Sequence, residues 1–147
     1  MLQRMLSAAG RQMTLELEPI PKRRSLAALA DAWSASPAGP KINWTRLRAF
    51  LDWLRSHPTE AEAAIATPPP RSGNLHLDAL LAAIAEKIAD DAGLTRPRWC
   101  AAIPALPSPW RPLGTPRMIE QARRNAPPQF RARNIWLGAR DLWRERD

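Results

Sequence analysis

Apolar residues at Trp44, Leu47, Phe50, Leu51 and Leu54 fall at i, i+3, i+6, i+7 and i+10, with Arg46, Arg48, Asp52 and Arg55 between them. This is the stripe of an amphipathic helix, and the spacing predicts one over about Trp44 to Ser56 with its apolar face buried. A longer stripe follows at Leu77, Leu80, Leu81, Ile84 and Ile88. Asn74 stands where an N-cap belongs and Gly93 where a left-handed terminator belongs, so the segment reads as a long helix and the central strut of the core.

Two weaker stripes flank these. Leu26, Leu29, Ala30 and Trp33 share a helical face over Ser25 to Ser34, with Ser25 as the cap. Pro58 suits the first residue of a short helix through TEAEAAIA, whose Glu60 and Glu62 lie in the positively polarised first turn. SPAGP at 36–40 and TPPPRSG at 67–73 break the pattern as stiff linkers. After Gly93 the texture changes to RPRWCAAIPALPSPWRPLGTPR, read as a wrapped loop anchored by Trp99 and Trp110. Thr115 and Pro116 restart a helix that runs to Asn125. Pro127 and Pro128 open another turn carrying Phe130, NIWL at 134–137 reads as one short strand, and ARDLWRE as a last helical turn.

Composition sharpens the fold class. The 147 residues include 26 Ala and 18 Leu, eight Ile, and no Val or Tyr, which favours helix over strand. The expectation is a mainly α chain: a single small helical domain over 25–147, with a proline-rich wrapped C-terminal segment and a basic tail. Residues 1–24 read as a disordered leader, or as upstream codons before a start at Met5 or Met13. No window approaches the roughly eighteen apolar residues of a membrane span, and the opening apolar runs are too short for a secretory signal. Cys100 is the single cysteine and cannot form an internal disulfide, which suits a reducing, cytoplasmic setting.

The net charge of +8 is unevenly placed. Residues 1–95 hold 11 basic and 10 acidic side chains, whereas residues 96–147 hold 11 and 4, and every basic residue of that tail is Arg. Such a tail favours an acidic partner, either a protein surface or nucleic acid. For nucleic acid the candidates are Arg117, Arg123, Arg124, Arg131 and Arg133.

Catalytic motifs are missing from the sequence. It holds no phosphate-binding glycine loop, no GxSxG and no HExxH, and its two histidines, His57 and His76, lack metal-ligand spacing with Cys100. Asp90 with Asp91, and Glu60 with Glu62, sit where solvated helix faces ordinarily carry acids. No enzyme, no cofactor and no metal are therefore expected. Trp33, Trp44 and Trp53 fall on or beside apolar helical faces, so core packing is the better account of them than base stacking.

The stretch PPQFRARNIWLGARDLWRE concentrates both properties of the tail. Phe130, Ile135, Trp136, Leu142 and Trp143 are too much apolar surface for a free arm, and Arg131, Arg133 and Arg140 are too many charges to bury unpaired. The expectation is a folded docking segment with its aromatics buried and its arginines facing a partner. The partner-binding set is Arg131, Arg133, Asn134, Trp136, Arg140 and Trp143.

Four segments carry a resemblance: WTRLRAFLDWLRSHPTEAEAAIATPPP, NLHLDALLAAIAEKIADDAGLTRPRW, PSPWRP and APPQFRARNIWL. Together, over about Trp44 to Leu137, they resemble the C-terminal region of actinobacterial helix-turn-helix regulators, often encoded beside nucleotidyltransferase-like toxins and read as antitoxin candidates. The specific parts are the triple proline before the long helix, the Pro-Arg-Trp after it, and the P-x-F-R-x-R-N-I run at Pro128 to Ile135. The resemblance implies a binding role against a toxin-like enzyme. Only Ser25 to Ser36 is helix-like ahead of Trp44, so it does not carry sequence-specific DNA reading to this chain.

Overall fold

A computed structural model describes residues 25–35, 41–112, 120, 122 and 124–143. The chain is mainly helical, with one two-stranded antiparallel sheet among the described residues. In order, a 3-10 helix at Leu26–Asp31 leads into strand β1 (Trp33–Ser34), which pairs with β2 (Lys41–Ile42) in the register Trp33 to Ile42 and Ser34 to Lys41. Then come α1 (Trp44–Ser56), a 3-10 turn at Pro58–Glu60 and α2 (Ala61–Ala66). The long α3 (Leu75–Asp91) is followed by the short helices α4 (Arg98–Ala101), α5 (Pro128–Arg131) and α6 (Ala139–Leu142). No helix among the described residues is long and apolar enough to cross a membrane.

The helix α3 is the axis of the fold. Its stripe Leu77, Leu80, Leu81 and Ile84 is wholly buried, and so are Ala79, Ala82, Ala83, Ala85 and Ala89 on its other sides. A helix whose middle, from Ala79 to Ala85, is apolar all round must be surrounded there, and small alanines let neighbours approach its backbone closely. The first 3-10 helix, α2, α4 and α5 all pack on it. Its ends are set locally. The Asn74 side chain accepts from the backbone N–H of His76 at 2.9 Å, and Gly93 takes φ +71° while Leu94 N–H donates back to Ala89 O at 2.8 Å. Ser72 donates through both its N–H and its hydroxyl to the buried Asp78 carboxylate, which pins the preceding linker to the first turn.

Three expectations are corrected. The segment at 25–34 is not one α-helix. Leu26 and Leu29 are buried in a 3-10 helix, but Trp33 leaves it for β1, where its indole N–H donates to Ser72 O at 2.7 Å. Ser25 occupies the cap position without a side-chain capping bond. The NIWL strand is reduced to one parallel bridge between Ile135 and Trp110, because Asn134 adopts φ 63° and terminates α5. Ile135 N–H then donates to Phe130 O at 2.9 Å, the closure usually made by glycine and tolerated by asparagine. Glu120, Ala122, Arg124 and Asn125 are helical as expected, while the proposed start at Thr115 and Pro116 lies outside the described residues, as does the leader at 1–24.

Candidate functional site: the C-terminal segment on the central helix

The segment from Pro127 to Trp143 is folded onto the core. Phe130, Ile135, Leu137 and Leu142 are buried in the same apolar cluster as α3. Backbone pairing fixes the path between them: Trp110 N–H donates to Asn134 O and Trp136 N–H donates to Trp110 O, each at 2.8 Å. The Asn134 side chain adds a donation to Leu106 O at 2.7 Å, and Arg48 on α1 donates to Asp141 O at 2.7 Å. The Trp143 ring meets Phe130 edge-on at 6.0 Å and lies under the Lys87 ammonium.

Arg133 departs from the expectation that the tail arginines face outward. It is only 7% exposed, and its guanidinium forks onto the Glu86 carboxylate at 2.9 and 3.2 Å. Two further N–H groups donate to Cys100 O and Ile103 O, each at 2.7 Å. A planar guanidinium is the cation whose geometry can serve one carboxylate and two carbonyls together. Arg133 is therefore a clasp between the C-terminal segment, α3 and α4, and is not available to a partner.

The clasp extends through a second arginine. Arg96 donates in a fork to Asp90 at 3.0 and 2.6 Å and lies 3.6 Å from Glu86, while Gln129 donates to the same Asp90 at 2.8 Å. Sequence reading placed Asp90 on a solvated face and passed over Glu86, Arg96 and Gln129. The available signal was Glu86 itself, an acid that directly follows the apolar run Ala79–Ala85 of the helix, where it needs a partner. The Arg96 and Gln129 donors hold the Asp90 carboxyl down at about 2, from an ordinary 3.8. Stability from this group is present above the unfolded value and is lost as pH falls through about 4 towards 2. Acid unfolding curves should show that loss in the parent and a flatter profile over the same window in Asp90→Asn; superimposable curves would disprove the coupling.

The other expected residues divide cleanly. Arg131 and Arg140 are exposed, Trp136 and Trp143 are half-buried, and Asn134 is a structural terminator. Arg124 is exposed and pairs with Glu120 at 3.4 Å, and Arg117 and Arg123 lie outside the described residues. Cys100 is buried beside Ala82 O, and burial followed by the Glu86 charge pushes its thiol up to about 12. His57 stacks on Trp53 and His76 lies against Trp110, each with ring centroids 4.8 Å apart, so neither approaches Cys100 as a co-ligand. No family model, characterised protein or solved structure matches the chain.

Proposed function

We propose that the chain is a non-enzymatic protein-binding module, an antitoxin-like or regulatory partner of a toxin-like enzyme such as a nucleotidyltransferase. The supporting observation is the division of the C-terminal segment into an anchored set and an outward set. Phe130, Ile135, Leu137 and Leu142 hold the backbone to the core, while Arg131, Arg140, Trp136 and Trp143 stay wholly or partly at the surface. Trp and Arg are the residues enriched at the centres of protein interfaces. A surface already held in place loses little freedom on docking, which favours affinity. The cytoplasm is the compartment that fits a lone, unpaired Cys100.

Coexpression with a nucleotidyltransferase-like protein encoded by an adjacent gene tests the reading. Growth inhibition by that protein should be relieved, the two should coelute, and Arg131→Glu should weaken both effects while melting like the parent. Persistent toxicity with separate elution overturns it. The alternative, binding of DNA or RNA through Arg117, Arg123, Arg124, Arg131 and Arg133, is weakened at Arg133, whose charge is spent on Glu86. It predicts an affinity that falls by orders of magnitude between about 50 and 200 mM salt. A chain that shifts neither duplex nor single-stranded probes at low salt removes it.

A further inference from the structure

We draw no further inference here: the strongest candidate, the apolar groove of about 280 Å³ between the ends of α1 and α3 that Leu51, Leu54, Ile88 and Trp143 line, carries nothing because nothing in the structure shows what covers it.

Discussion

Arg133→Ala should destabilise the chain by about 3–5 kcal/mol, the range for breaking a buried ion pair by removing one partner. The cost lies less in the attraction lost than in what is stranded. Glu86, 12% exposed at its side chain, would keep its charge with only the more distant Arg96 to answer it, and Cys100 O and Ile103 O would lose their donor. Arg131→Ala, two positions away on the exposed side, should fall within about 0.5 kcal/mol of the parent. Denaturant melts of the two variants side by side decide the matter; an Arg133→Ala cost below about 1 kcal/mol would mean the clasp is ornamental. The double reversal Arg131→Glu with Arg133→Glu should unfold the chain, because the new carboxylate at 133 would confront Glu86.

Leu81→Ala and Ile84→Ala should each cost about 2–5 kcal/mol, the range for emptying a core position. Both side chains are 0% exposed, and their helix neighbours Ala82, Ala83 and Ala85 are 0% exposed as well. Both belong to one closely packed apolar cluster, in which the neighbours of an emptied position relax only in part. Denaturant midpoints with unchanged slopes would report this directly. If either variant stayed within about half a kcal/mol of the parent, α3 would not be the axis of the core.

What could be read from the sequence was whatever a few neighbouring residues decide. The bounds of α1 follow from its stripe, and those of α3 from Asn74 and Gly93, each acting within one helical turn. The fate of Trp33 depends on Ser72, 39 positions away, and a local stripe cannot tell a 3-10 turn followed by a strand from an α-helix. The same limit applied to the tail. Which aromatics of the C-terminal stretch are buried could be judged from apolar area, but which arginine turns inward depends on Glu86, 47 positions earlier. Asn134 was within reach: an asparagine just past a short helix and before an apolar residue is a terminator signature, and the strand reading passed over it.

The reach of the Arg133 clasp also bears on the order in which this chain can assemble. During synthesis α3 emerges before Phe130, which covers it, and before Gln129 and Arg133, which answer its Asp90 and Glu86. Until they arrive, part of the apolar surface of α3 stands open, and closing the loop between Glu86 and Arg133 is a long-range step that slows folding. A nascent or nicked chain lacking those residues would be a ready substrate for chaperones and proteases. Cleavage between Trp110 and Pro127 would therefore threaten the whole domain, since what it cuts loose is one wall of the core.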